Sequence, residues 1–425
     1  MPRELPGLYW DEERQRYFPL SSARSPCASA STTSHHRDRT KPQAAPKATR
    51  NFHDSKRHKI RTLLRANEDA RSSLRTSYKN KLMHQITCSQ IARTSCLTSS
   101  PVQSLVHTHS AITAFQTVSH NNSVYSFSGD TRGWFYSSIV DLGEPVTGYR
   151  TSHDWRPEFS LSSEISSICI SGARCIATSF GPESKILHLP LDSDLEDIRV
   201  TRVINQSVRD VWTADLLGTR LVLGTNNQAV LINDAAERAT VSLLKTGSDV
   251  FAVAQDNNMI YAGSRAGVVQ RFDARISSTK GDRILNDLDT TRNNSVTNLK
   301  IVSDWQLLMS NIDGSLALFD LRFPVNRTPI ISFTGNINTY TTKTPIAVDP
   351  REDFLFAAGQ DRCVRIWSLR SGGSPLVSPV SVFQQSFEDP VRALQVVEEG
   401  KGGMILWAAS GTALYKYNLG QTMEY

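Results

Sequence analysis

From about residue 100 to the C-terminus, apolar and polar residues alternate in short runs separated by Gly, Asn, Asp and Ser. A period of two places the apolar side chains of such a run on one face of an extended strand. The runs recur as a unit: an alternating strand, a strand ending in small residues, a tight turn, then a strand ending in aromatic and polar residues. Seven units can be laid out, with third strands predicted at Gly133–Val140, Ser184–Leu191, Gln228–Asp234, Gly267–Arg275, Gly314–Arg322, Cys363–Arg370 and Ala413–Leu419. Measured on Gly224, Gly263, Ser310, Gly359 and Ser410, successive units are 39, 47, 49 and 51 residues apart. Blades of a propeller repeat every ~40–45 residues, and loop insertions account for the excess. The pattern therefore predicts an all-β, seven-bladed propeller over residues 100–425. Small residues at the ends of the second strands would let neighbouring blades approach closely near the axis. Only about six residues follow the last third strand, too few for an outer strand, so Val102–His107 is expected to close the ring. Closure removes a sheet edge that invites aggregation.

The first hundred residues follow other patterns. Residues 1–20 carry Tyr9-Trp10 and Tyr17-Phe18 on either side of a charged connection, which predicts a small hairpin needing a larger surface for stability. Residues 21–50, rich in Ser, Thr, Pro, Ala and basic residues, bury too little to offset chain entropy and are expected to be a disordered linker. Over 51–95 the period becomes helical. Asp54 can cap a segment with Ile60, Leu63 and Leu64 on one side, and Leu74, Tyr78, Leu82 and Ile86 recur every four residues after Asn67. Lys56, Arg57, Lys59, Arg61, Arg71, Arg75, Lys79 and Lys81 occupy the other faces. Two uses of this basic helical arm are open: its apolar stripes pack on the propeller, or the arm projects into a partner.

Charge sharpens the division. Residues 1–100 hold 19 Lys and Arg against 8 Asp and Glu, whereas residues 101–425 hold 28 against 33. The arm is strongly basic and the body mildly acidic, so contact with an acidic partner or nucleic acid would fall to the arm. Six scattered cysteines without a Cys-x-x-Cys pair suit reduced thiols. No long apolar run and no signal-peptide pattern occur, and a nuclear or cytoplasmic location is expected. Phosphate-cradling and nucleophile-elbow motifs are missing, and no His follows His188. His107 and His109 lie two apart without a third ligand in register, and His35-His36 falls in the linker; no metal site, cofactor or catalytic residue is expected. Trp155 and Trp305, at strand edges, read as packed core rather than interaction anchors.

The segment Phe356–Arg370, FAAGQDRCVRIWSLR, resembles a WD repeat, with a turn at Gln360-Asp361-Arg362 and Ile366-Trp367 at the strand end. The other units lack the Gly-His dipeptide, so the Asp-His-Ser/Thr-Trp network that braces many such blades is not expected. Two successive units end in Phe272-Asp273-Ala274-Arg275 and Phe319-Asp320-Leu321-Arg322, and a third in Trp367-Ser368-Leu369-Arg370. These resemble the Trp-Asp-x-Arg signature of substrate receptors of cullin-4 RING ubiquitin ligases, with Phe for Trp twice and Ser for Asp once. The opening LPGLYWDEERQRYF is similar to that of one branch of these receptors, the fourth cullin-4-associated factor or WD-repeat protein twenty-one. The resemblance implies a non-catalytic receptor that docks on the adaptor, the large subunit of the damaged-DNA-binding protein, and holds a protein substrate. It implies adaptor contacts from Asp273, Arg275, Asp320, Arg322 and Arg370, and from Leu63 and Leu64 of the arm. The alternative is a WD-repeat scaffold of an RNA-processing or chromatin complex, its basic arm binding nucleic acid.

Overall fold

Alternation with tight turns produces antiparallel meanders, and seven of them form the body of the protein. In a computed structural model, the described residues are 8–11, 16–19, 76–102, 110–141, 155–192, 197–202, 208–234, 241–276, 279–286, 294–322, 328–339, 343–378, 383, 385–399 and 403–422. The first strands of blades one to seven are Ile112–His120, Ile165–Ser171, Thr213–Leu217, Val250–Asp256, Val296–Val302, Ile346–Val348 and Val391–Glu399. Most touch the first strand of the next blade, and the seventh returns to the first, so these strands line the axis of a closed ring. Third strands run over Trp134–Asp141, Lys185–Pro190, Gln228–Ile232, Val268–Asp273, Leu316–Asp320, Val364–Ser368 and Ala413–Leu419, in the seven places expected. Blade six has three strands among the described residues; beside its third strand, the Leu376 amide donates to the Ile366 carbonyl at 2.7 Å.

The ring closes through the N-terminal segment, but not through the residues expected. The outer strand of blade seven is Leu97–Pro101, pairing antiparallel with Ala413–Leu419 in the register Leu97↔Tyr417 to Pro101↔Ala413. An outer strand is held by backbone hydrogen bonds, so the polar LTSSP serves, and the position of Val102–His107 just before the first blade was a misleading guide. Pro101 is tolerated because the outer edge needs no further donor.

Close blade approach has its predicted cause. A Cβ on Gly129, Gly224 or Gly263 would lie 2.6 Å from Ile165 Cγ2, 2.6 Å from the Val250 carbonyl oxygen and 2.5 Å from Val296 Cγ1, respectively. Each glycine lies in the final residues of its second strand and faces the start of the next blade. Between blades the core is continuous: Phe127, Phe135, Leu161 and Ile165 at blades one and two, Val222, Val250, Ile260 and Phe272 at blades three and four. In blade one, where a His-based brace is lacking, the Asp130 carboxylate accepts hydrogen bonds from Ser110 Oγ at 2.7 Å and the Tyr136 hydroxyl at 3.2 Å. Trp155 is buried and meets Phe115 edge-on, a core residue as expected.

Residues 1–73 form a separate unit. Its described part is the hairpin read from the aromatic pairs: Leu8–Asp11 against Arg16–Pro19, with Tyr9 opposite Phe18 and Trp10 opposite Tyr17. Residues 21–50, His35, His36, Leu63, Leu64, His107 and His109 lie outside the described residues.

Candidate protein-docking site

The ends of the third strands and the turns from first to second strand share one face of the ring. In blade four, Asp273 closes the third strand and Arg275 follows the turn. The Arg275 guanidinium donates from Nε to Asp273 Oδ1 at 3.0 Å and from Nη2 to Oδ2 at 2.6 Å, while its backbone N–H donates to Oδ1 at 3.0 Å. Blade five repeats this with Asp320 and Arg322, at 3.0, 2.8 and 2.8 Å. A planar guanidinium matches a carboxylate at two points, and the backbone donor fixes the turn as well. The Arg275 hydrogen bonds hold the Asp273 carboxyl well below the usual carboxylate range, to about 2. Those from Arg322 lower Asp320 likewise. Both forks therefore remain charged throughout the physiological range. The arginine side chains are 65% and 55% exposed against 16% and 17% for the aspartates, so the cations face outward while the carboxylates anchor them.

Trp305, in the first turn of blade five, adds a support not foreseen in the sequence. Its ring lies under the Arg322 guanidinium at 3.7 Å, a cation–π contact that sets the direction of the fork. The reading of Trp305 as packed core is corrected: it is half-buried and bears the arginine. Alternation could not reveal this, because residues 305 and 322 meet only when the blade folds.

Blade six departs from the pair, and the departure has a consequence. With Ser368 in the aspartate position, Arg370 turns to Asp353, at 2.7 Å from Nε and 2.6 Å from Nη2. The vacated corner receives a helix over residues 76–92. His84 Nε2 lies 2.7 Å from Ser368 Oγ and its ring stacks on Phe354 at 5.6 Å. Cys88 packs against the cluster of blades six and seven, and Ile91 is buried within it. Burial, then the Arg370 charge, push His84 below its ordinary value, against the opposing pull of Asp353 and Asp349.

Because a helix turns 100° per residue, His84, Cys88 and Ile91 face the blades while Tyr78, Leu82 and Ile86 face away. Tyr78 is 70% exposed, and Leu82, Met83 and Ile86 are exposed with it. Of the two uses left open for the stripe, packing on the propeller is excluded for these residues. Neighbouring corners are tied together on the same face: the Ser303 amide donates to Glu352 at 2.7 Å, and Arg351 pairs with Glu398 at 2.6 Å. Arg275, Arg322, Arg370 and the helix thus lie along one rim spanning blades four to seven. Among the described residues, no group of three or more His, Cys, Asp or Glu could hold a metal, and no helix is long and apolar enough to cross a membrane.

The solved WD40 β-propeller domain of Doa1 overlays 75% of this chain and 97% of its own with a TM-score of 0.54 at 14% identity, a likeness of fold alone. Human DDB1- and CUL4-associated factor 4 is 33% identical over 131 residues, which are 29% of this chain and 24% of that protein. Human DDB1- and CUL4-associated factor 4-like protein 2 is 31% identical over 130 residues, 30% of this chain and 31% of that one. The matched part thus spans about a quarter to a third of these relatives. Residues 178–407, containing the blades that carry Arg275, Arg322 and Arg370, match the family described as the DDB1- and CUL4-associated factor 4 beta-propeller domain. With its seven closed blades and this match over more than half its length, the chain belongs to the DDB1- and CUL4-associated factor 4 propeller family.

Proposed function

We propose that this protein is a substrate receptor of a cullin-4 RING ubiquitin ligase, docking on the DDB1 adaptor and performing no chemistry itself. One observation carries the reading: outward guanidinium forks repeat on consecutive blades, and a helix with an uncovered apolar stripe sits at the next corner of the same rim. An apolar strip beside fixed cations suits a partner surface with a hydrophobic groove bordered by carboxylates or carbonyls. The forks give orientation; burial of Tyr78, Leu82, Met83 and Ile86 gives affinity. A receptor of this kind acts by proximity, raising the local concentration of a bound protein near the ubiquitin-charged subunits. The family names of its relatives and the matched propeller favour this reading over a nucleic-acid scaffold. Arg275→Ala with Arg322→Ala, and separately Leu82→Asp with Ile86→Asp, should each reduce recovery of the adaptor from cells at least ten-fold, since hot-spot losses of about 2 kcal/mol or more are typical. Undiminished recovery in both double variants sinks the proposal.

A further inference from the structure

At the end of the ring opposite the rim, the loops entering the first strands surround the mouth of the axial channel. Three aromatic rings from three consecutive blades meet there. Phe180 follows the second strand of blade two, Trp212 immediately precedes blade three, and Phe251 belongs to the first strand of blade four. The Phe180 and Trp212 centroids are 4.7 Å apart with planes at 58°, and those of Trp212 and Phe251 are 5.0 Å apart at 71°. Trp212 is pinned without being covered: its indole N–H donates to Asn226 Oδ1 at 3.2 Å and Asn226 donates to Asp210 at 2.9 Å, yet 37% of the residue is exposed. A fixed, exposed indole is ready to bind at little entropic cost.

Cations flank the rings. Lys343, in the loop entering blade six, reaches past blade five to donate to the Phe251 carbonyl at 3.0 Å. An ammonium has three donors, so two remain for a ligand. The surrounding protein, by displacing water, pushes its amine down to about 8, a shift that a bound carboxylate would oppose. Arg392, in the first strand of blade seven, reaches Glu164 of blade two at 3.9 Å, a long pair with both side chains partly exposed. Glu164 and Asp210 equal Lys343 and Arg392 in number, so net charge does not select the ligand; the donors left on Lys343, bonded beside the rings at the Phe251 carbonyl, favour a carboxylate. The rings meet at steep angles, leaving one indole platform and no row of faces for successive bases.

We propose that this mouth binds an extended peptide segment in which a large apolar side chain neighbours an acidic one. The apolar group would lie on Trp212 between Phe180 and Phe251, with the carboxylate on Lys343. The proposal deepens the receptor reading and rests on it only in making the bound segment part of a ubiquitylation target; the binding needs no adaptor. Such a segment lies across the ring from Arg275 and Arg322, so adaptor and target would occupy opposite faces.

The test is fluorescence anisotropy with the full chain and four labelled probes of equal length. These are an acidic peptide with a central phenylalanine, the same peptide with alanine there, a basic peptide with the phenylalanine, and a single-stranded deoxyoligonucleotide. The first should bind roughly ten-fold or more tighter than each of the others, and Trp212→Ala and Lys343→Ala should each abolish that preference. Lys343→Glu should shift the preference toward the basic peptide, a result that misfolding cannot imitate. Equal binding of the two acidic peptides, preference for the oligonucleotide or the basic peptide, or unaltered selectivity in the variants overturns the proposal. Adaptor recovery, measured on the same variants, separates the two readings: it should persist when the mouth is altered. Its loss in wild-type protein that still selects the acidic phenylalanine peptide would count against the ligase role alone.

Discussion

His84 makes the polar contact between the helix and Ser368 of blade six, beside the apolar packing of Cys88 and Ile91, and its removal makes a quantitative test. The His84 side chain is 11% exposed, 2.7 Å from Ser368 Oγ and stacked at 5.6 Å on Phe354 with planes 19° apart. His84→Ala deletes one partly buried hydrogen bond, worth about 1 kcal/mol net. It also deletes a ring contact worth about another 1 kcal/mol. Ser368 Oγ still accepts from the Arg370 and Ser371 amides at 3.3 Å, so no large penalty for an abandoned polar atom is added. A docking loss of about 2 kcal/mol raises the undocked fraction of the helix roughly 30-fold. Native-state hydrogen exchange reads this directly: amides of residues 76–92 should lose protection by that factor while the second strands of blades three and four do not change. Ser368→Ala should be non-additive with His84→Ala, because both remove the same bond. Exchange unchanged within two-fold, or strict additivity, would refute the assignment of the helix to this corner.

Other outcomes follow from the same structure. His84 is depressed in the docked state, so the free helix takes up a proton more readily than the docked one. Docking should be strongest above the ordinary histidine value of ~6.5 and weaken as pH falls below it, until the depressed docked value is passed; an environment-sensitive label on the helix would report this, and weaker docking at higher pH would contradict it. Gly263→Ala puts a methyl group 2.5 Å from Val296 Cγ1 and should cost about 1–3 kcal/mol, seen as a lower thermal midpoint, whereas a midpoint equal to wild type would mean that the blades are not tightly apposed there. Trp305→Ala removes the platform beneath Arg322 without removing the cation, so calorimetric affinity for the adaptor should fall, but less than for Arg322→Ala.

The number of blades was legible in the sequence because strand alternation and turn chemistry are local, and repetition multiplies a weak signal seven times. The third strands are the clearest instance: aromatic–polar endings such as Phe319-Asp320 fall where the strands end. The Asp-x-Arg motif was legible as a repeat, but that each arginine forks onto its own aspartate two residues back was seen only in the structure. Closure by an N-terminal strand was foreseen, but its residues were not. Leu97–Pro101 is chosen by backbone register against Ala413–Leu419, and register leaves no hydrophobic trace in so polar a strand.

The sequence by itself thus determined the propeller, the position of its blades and the recurrence of Asp-x-Arg at the ends of two successive blades. Only the tertiary structure decided what long-range contacts create: Trp305 beneath Arg322, Arg370 turned to Asp353, and Phe180, Trp212 and Phe251 gathered at the mouth. It also decided which side of the helix meets the blades. Periodicity shows that Tyr78, Leu82 and Ile86 share a stripe but not what faces it, whereas His84 finds Ser368 some 284 residues further along the chain. Local patterns record the backbone each residue must adopt; pairings across such separations depend on how the closed ring brings distant corners together.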